Sequence, residues 1–283
     1  MKKYIITLLS MLLLFSCSSN YKSKNDLNLY ELKGKVNHVS LYHYNAYEKE
    51  GEIIRGEKNT EGEEDQTLTF NKNGYITQIY YYGQNDSLDT KLVREFNNKN
   101  NCIKEIKYNS DDLVIGEWHM TYDDRDRQII KSRLINDEKL FNYAFLHYDE
   151  KDRLISRKDF LYLDSDIYDS LVWTYDKKHR QVTEERYGLY GKKSLTKLIY
   201  KGKSELADSL YIYDRFDDLS SIIWANYNKK GAMIEASQFG PDSVLVANIK
   251  IEYEYDKNGS WIKKTQYFNQ EVKTIIERKI LYY

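Results

Sequence analysis

The sequence predicts an all-β protein, and three observations carry that prediction: abundant tyrosine, almost no proline, and a short phrase that returns at a steady interval. Among the 283 residues are 28 tyrosines and one proline, Pro241. Aromatic and β-branched side chains suit a pleated, half-buried surface, so this composition favours strands. It also argues against disorder, despite a charged fraction of 31%. Period-two alternation supports the same reading. Ile249, Ile251, Tyr253 and Tyr255 fall on one face of a strand, with Lys250, Glu252 and Glu254 on the other. Beyond the N-terminal apolar stretch no segment has a helical period.

The recurring phrase is an aromatic, then Asp or Asn, two polar residues, a turn former, and soon after an apolar pair. Its aromatics are Phe70, Phe96, Tyr122, Tyr148, Tyr175, Tyr200, Tyr227 and Tyr255, at successive spacings of 26, 26, 26, 27, 25, 27 and 28 residues. The aromatic ends a strand. Asp or Asn bonds its side chain to the backbone two residues on and starts a turn. The fifth residue is usually Gly, Asn or Asp, the types that tolerate positive φ. A second turn lies within each repeat, as at Asn109-Ser110-Asp111-Asp112 and Gly240-Pro241-Asp242-Ser243. Each repeat therefore reads as one β-hairpin, and residues 31–283 as an antiparallel meander of about eight hairpins. With an opening strand at Gly34–Tyr42 the total is on the order of sixteen strands. Open sheets rarely exceed about ten strands without curling, and a closed ring of about sixteen leaves a lumen too wide for side chains to fill. The expected architecture is a long curled or coiled sheet, with tyrosines packing its concave side and Val272–Tyr283 as a free edge.

The N-terminus carries the address. Met1-Lys2-Lys3 is a positive n-region, Ile5–Phe15 an apolar stretch too short to span a bilayer, and residues 1–16 read as a signal peptide. Leu14-Phe15-Ser16-Cys17 resembles the lipobox of bacterial lipoproteins, with Phe15 a departure at the position before the small residue. That resemblance implies a lipid on Cys17 and a chain anchored in the outer membrane, facing the periplasm or the surface. Residues 17–30 are then the lipidated cysteine and a flexible tether.

The repeat phrase, from about Phe70 onward, resembles the YD repeats of the RHS family. The opening Leu32-Lys33-Gly34-Lys35-Val36 and the ending Tyr255-Asp256-Lys257-Asn258-Gly259-Ser260-Trp261-Ile262 are similar to small RHS-repeat-like lipoproteins of Bacteroidota. The resemblance implies an architecture and says little about chemistry. Large members of that family enclose a toxin, a role that does not carry over to a chain with so few repeats.

Composition and motifs argue against most kinds of catalysis. A formal charge of −1 with Lys and Glu interspersed supplies no field for nucleic acid. There is no CxxC, HExxH, GxSxG or P-loop. His38 and His43 sit five apart, which suits surface or rim positions better than a metal site. Asp164-Ser165-Asp166 with Asp169 could wrap Ca²⁺, although turn chemistry explains the same residues. Glu184 and Glu185 alternate faces and do not converge as a glycosidase pair would. Cys102 reads as a small buried side chain. No cofactor and no metal are expected. Tyr80, Tyr82, Trp118, Trp173, Trp224 and Trp261 are candidate stacking residues for a sugar, with packing between layers as the competing role. The expected function is a non-catalytic envelope lipoprotein whose repeat sheet is a binding or structural scaffold for a protein or glycan. A polysaccharide-acting hydrolase and a periplasmic immunity or inhibitor protein are the alternatives.

Overall fold

The computed structural model describes residues 25–59, 64–83, 86–135, 139–160 and 167–283. The expected signal peptide, Cys17, the start of the expected tether and Asp164-Ser165-Asp166 lie outside the described residues. The strands are β1 (Val36–Lys49), β2 (Glu52–Lys58), β3 (Asp65–Phe70), β4 (Ile76–Tyr82), β5 (Leu88–Phe96), β6 (Cys102–Asn109) and β7 (Val114–Tyr122). They continue as β8 (Gln128–Ile135), β9 (Lys139–Tyr148), β10 (Leu154–Phe160), β11 (Ile167–Tyr175), β12 (Gln181–Gly188) and β13 (Gly191–Ile199). The last six are β14 (Ser209–Tyr213), β15 (Leu219–Tyr227), β16 (Met233–Phe239), β17 (Leu245–Tyr255), β18 (Trp261–Phe268) and β19 (Glu271–Tyr282).

All nineteen strands belong to one sheet. β1 pairs antiparallel with β19 over Val36–Asn45 and, on its other edge, with β3 over His38–Leu41. The outer half of β1 pairs with β2 instead, from Tyr44↔Lys58 to Lys49↔Glu52. The meander thus closes through its first and last strands. Eighteen strands, all but β2 of the nineteen, make an antiparallel β-barrel in hydrogen-bond connectivity.

This corrects the expectation of an open curled or coiled sheet of about eight hairpins. Val272–Tyr283 is no free edge, since β19 is bonded to β18 and to β1. The physical reason is the backbone. Two open edges leave rows of unpaired N–H and C=O groups, and closure removes both.

The chain divides into two compact units, with the divisions falling inside β7 and β17. Among the described residues one unit is His119–Asn248, and the other combines Asn25–Trp118 with Ile249–Tyr283. In the latter, here the terminal unit, Leu32, Val36, Val39, Leu41, Leu68, Phe70, Ile76, Ile79, Trp261 and Ile276 form the buried core. Leu27 and Tyr30 pack against it, so ordered packing begins just after the start of the described chain. Register places Val39, Leu68, Ile79 and Leu92 side by side on one face. The opposite face carries the exposed Lys250, Glu252 and Glu254.

The turn phrase folds as its chemistry predicts. Asp149 Oδ1 accepts the backbone N–H of Lys151 at 2.9 Å and of Arg153 at 3.0 Å. Asp176 does the same for Lys178 at 2.8 Å and Arg180 at 3.0 Å. The fifth residue has positive φ, +61° at Asp152, +67° at His179 and +82° at Gly74.

A second layer of this device was not anticipated. Four residues after the turn residues Asp123, Asp149 and Asp176 stands an arginine, which returns to the same carboxylate: Arg153 Nε donates to Asp149 Oδ2 at 2.6 Å and Arg180 Nε to Asp176 Oδ2 at 2.8 Å. Each guanidinium then lies over the aromatic of the next repeat, Arg153 over Tyr175 at 4.7 Å and Arg180 over Tyr200 at 4.3 Å. That tyrosine in turn donates its hydroxyl to the preceding hairpin, Tyr175 to Leu154 O and Tyr200 to Gln181 O, both at 2.7 Å. Consecutive hairpins are thereby stapled at one end. Tyr175→Phe removes one such bond and is expected to cost about 1 kcal/mol, read as a lower urea midpoint at unchanged m-value.

Burial works against ionisation of Asp149 and Asp176, but the arginine and the two backbone amides outweigh it and hold both carboxyls below their ordinary value of 3.8. A depressed carboxyl stabilises the fold above its unfolded pKa, and that contribution is lost as pH falls through the folded value. Thermal melts between about pH 5 and pH 2 should therefore slope downward, and more gently in the double variant Asp149→Asn, Asp176→Asn. Equal slopes would mean these turns do not govern acid stability.

Candidate functional site

In the 119–248 unit, register lines up a set of charges. Leu146 pairs with Arg157, Arg157 with Leu171, Leu171 with Arg186 and Arg186 with Ser194. One step along, Ala144, Asp159, Asp169 and Gly188 form the parallel row. Register partners share a face, and this face holds the buried Ala144, Leu146 and Leu154, with Trp173 packed on them. Arg157, Asp159, Asp169 and Arg186 therefore project from the core-bearing face of β10–β12.

Two bulges complete the cluster. The β12–β13 register shifts between Arg186 and Tyr187, and the extra residue is Lys193. Its Nζ reaches Asp169 Oδ1 at 3.2 Å. The β10–β11 shift between Asp159 and Phe160 leaves Tyr168 as the extra residue, and Lys193 lies 5.9 Å from its ring centre. Bulges re-aim side chains in this way where a strand must present a group out of register.

Arg186 donates through Nε at 3.0 Å and Nη2 at 2.6 Å to Asp169 Oδ2, and Arg157 donates through Nη2 to Asp159 Oδ1 at 2.6 Å. Burial raises the Asp169 carboxyl, but Arg186 and Lys193 prevail and hold it below the ordinary carboxylate range. Asp169 is 13% exposed, whereas Arg186 and Lys193 are 53% and 49% exposed. The carboxylate is thus seated and the cations remain open to water. Glu184, on the same face beside Trp173, acts on Arg186 as a third carboxylate, so the three cations are matched in number by Asp159, Asp169 and Glu184, but Arg157, Arg186 and Lys193 are more exposed than Asp159 and Asp169. Asp169 holds two cationic partners, and the other residues of the calcium alternative, Asp164-Ser165-Asp166, lie outside the described residues. Among the described residues no group of three or more His, Cys, Asp or Glu is placed to hold a metal ion.

In the terminal unit a clasp ties the N-terminal segment to the sheet. Asp26 N–H donates to Gly74 O at 3.0 Å, Ile76 N–H to Asp26 Oδ2 at 2.7 Å, and Arg94 Nη1 lies 3.4 Å from the same oxygen. Trp261 Nε1 donates to Glu31 Oε2 at 2.8 Å, and Lys33 N–H to Ser260 Oγ at 2.9 Å. Arg278 lies over the Trp261 ring at 3.2 Å and donates to Tyr30 O at 2.7 Å. Burial pushes Arg278 down to about 9, which still leaves it charged at neutral pH.

The candidate stacking residues do not form one platform. Trp261 is buried at 4% exposure beneath Arg278. Trp173 is half-buried and donates to Glu184 Oε2 at 2.8 Å. Trp224 is exposed on the face opposite buried Ile223 and Ala225, tilted against Phe239. Tyr80, Tyr82 and Trp118 are half-buried, and Tyr80 donates to Gln78 Oε1 at 3.2 Å. His43 is not the rim residue expected: it is buried, with Nδ1 3.4 Å from Asp65 Oδ1. Cys102 is half-buried. Sequence reading missed the Arg157–Arg186 set because its members are close only through cross-strand register. The nearest local hint was the alternation of Arg157 with Asp159.

No family model matches the chain, and no curated protein matches it. Solved structures do. A porin-like protein from Bacteroides uniformis ATCC 8492 is 9% identical, with 88% of this chain and 99% of that chain covered and a TM-score of 0.44. A porin-like protein from Bacteroides vulgatus ATCC 8482, also 9% identical, has the same coverage and a TM-score of 0.23. The TcdB2-TccC3-Cdc42 structure is 7% identical over 87% of this chain and 17% of that one, with a TM-score of 0.29.

The resemblance to YD-repeat lipoproteins of the RHS family is accordingly corrected: no family model supports it, and the sheet closes where that resemblance implied an open coil. The scaffold reading falls with the open concave sheet on which it depended. The hydrolase and immunity alternatives gain no support from the closed sheet either.

Proposed function

We propose that this chain serves transport of small anionic solutes at the outer membrane, as a closed barrel held there by a lipid on Cys17. The observation that supports transport is that Arg157, Arg186 and Lys193 are open to water while their partners Asp159 and Asp169 are more buried, on the core-bearing face of a sheet with closed connectivity. Large strand rings are the architecture in which wall side chains meet an enclosed aqueous space. A lipid anchor is preferred to immersion because the face opposite the core carries Lys250, Glu252, Glu254 and Lys263. A lysine or arginine facing lipid near the midplane costs about 2–4 kcal/mol. The leader and Cys17 provide the other route to the membrane.

Equilibrium dialysis against labelled dicarboxylates, sugar phosphates and nucleotides tests the solute. Saturable binding of at least one class is expected, weakened about tenfold or more in Arg186→Gln, Lys193→Gln, which deletes two charge-assisted contacts. No binding across that panel would overturn the transport reading. Cys17→Ser should shift the protein out of the membrane fraction, and stepwise conductance of the purified protein in planar bilayers would overturn attachment by lipid alone.

A further inference from the structure

Hairpin turns in an antiparallel meander alternate between its two ends, and in the terminal unit those ends differ in charge. At one end lie the β3–β4, β5–β6 and β17–β18 turns, the start of β1 and the N-terminal segment. Three of the carboxylates there are engaged within the protein, and Glu95, beside the β5–β6 turn, is exposed. Asp26 accepts from Ile76 N–H, Glu31 from Trp261, and Asp256 from the backbone N–H groups of Asn258 and Ser260 and from Tyr282. The lysines there, Lys33, Lys35, Lys72, Lys99 and Lys257, are exposed.

The other end, with the β1–β2, β4–β5, β6–β7 and β18–β19 turns, has the reverse balance. Glu48, Glu50, Glu52, Asp89 and Asp111 are exposed, while Lys58, Lys91 and Lys273 are taken up by Asp86, Asp112 and Glu271. Lys49 and Lys273 are the exposed lysines of that end, Lys273 being paired with Glu271.

The N-terminal segment fixes which end is near the membrane. Asn25 Nδ2 donates to Asn73 O and Asp26 N–H to Gly74 O, so the chain leading back to Cys17 departs from the lysine-bearing end. Cys17 lies eight residues before Asn25. At no more than about 3.6 Å per residue that tether keeps this end within roughly 30 Å of the bilayer.

We propose that the lysine-bearing end of the terminal unit docks on anionic lipid headgroups, so that the protein stands on the membrane with its carboxylate-rich end facing away. The placement of this end near the bilayer rests on the lipid-anchor reading; the affinity for anionic headgroups does not. Lysines at a membrane surface attract acidic headgroups over about one Debye length, roughly 8–10 Å at physiological salt, and carboxylates at the far end disfavour the inverted orientation.

The test uses the chain from Ser18 onward, which keeps every described residue and has no lipid. It is sedimented with phosphatidylcholine vesicles with and without phosphatidylglycerol, at low and physiological salt. Binding only to the phosphatidylglycerol vesicles, weakening with salt, is expected. The triple variant Lys72→Glu, Lys99→Glu, Lys257→Glu should lose at least tenfold in the bound-to-free ratio, with Lys49→Glu unchanged. All four sites are exposed, and unchanged circular dichroism melts would confirm folding. Equal binding to both vesicle types, no binding to either, or an unchanged triple variant would overturn the proposal. Because Cys17 is absent from this chain, such a failure leaves the anchor itself untouched, and Cys17→Ser partitioning reports on that separately.

Discussion

A chain ending at Gln270 should fail to fold cooperatively. Its missing strand, β19, is hydrogen-bonded to β18 on one edge and to β1 on the other. It also delivers Ile276 to the terminal unit's core and brings Ile280 and Tyr282 against it. Losing it exposes the backbone edges of β1 and β18 together, a template for intermolecular pairing. The expected result is a broad, non-cooperative thermal transition with increased light scattering. A sharp, monomeric melt would show that the remaining strands are stable as an open sheet and that closure is dispensable.

Trp261→Ala should be the most damaging of the single substitutions considered, costing about 3–5 kcal/mol in urea unfolding. Trp261 has 4% exposure and sits in the core with Leu32, Val36 and Phe70. Removing it leaves a large cavity, takes the donor from Glu31, and strips the ring from beneath the Arg278 guanidinium. Trp261→Phe separates these effects. It keeps an aromatic face under the cation and loses the Nε1 bond, so it should cost far less, on the order of 1–2 kcal/mol. Equal losses for the two variants would mean that the hydrogen bond to Glu31, rather than packing, dominates at this position.

Both predictions concern contacts between the ends of the chain, where the sequence was least legible. Turns were legible because their chemistry is local. Asp149 bonds to amides two and four residues away, and Asp152 needs only a tolerance for positive φ. Strand faces were legible for β17, where Ile249 and Ile251 are buried and Lys250 and Glu252 exposed, because side chains alternate with a period of two. The arginine staple was within reach: Arg127, Arg153 and Arg180 recur four residues after Asp123, Asp149 and Asp176. What hid it is that the ring each arginine covers belongs to the next repeat.

The site was less legible than the scaffold. Arg157, Asp159, Asp169, Arg186 and Lys193 are spread over four strands, and only cross-strand register with two bulges brings them together. Nothing in the spacing from Asp169 to Lys193 encodes that meeting.

By itself, then, the sequence determined that this protein is built of antiparallel strands, where its hairpins turn, and which residues of β17 face the core. Each of these depends on interactions between residues a few positions apart or on the alternation of a single strand. Tertiary structure decided that β1 meets β19, that Trp261 is buried under Arg278, and that five charges share one patch. Those outcomes depend on pairing between segments far apart in the chain, where satisfying the last backbone edges outweighs any local preference for an open sheet.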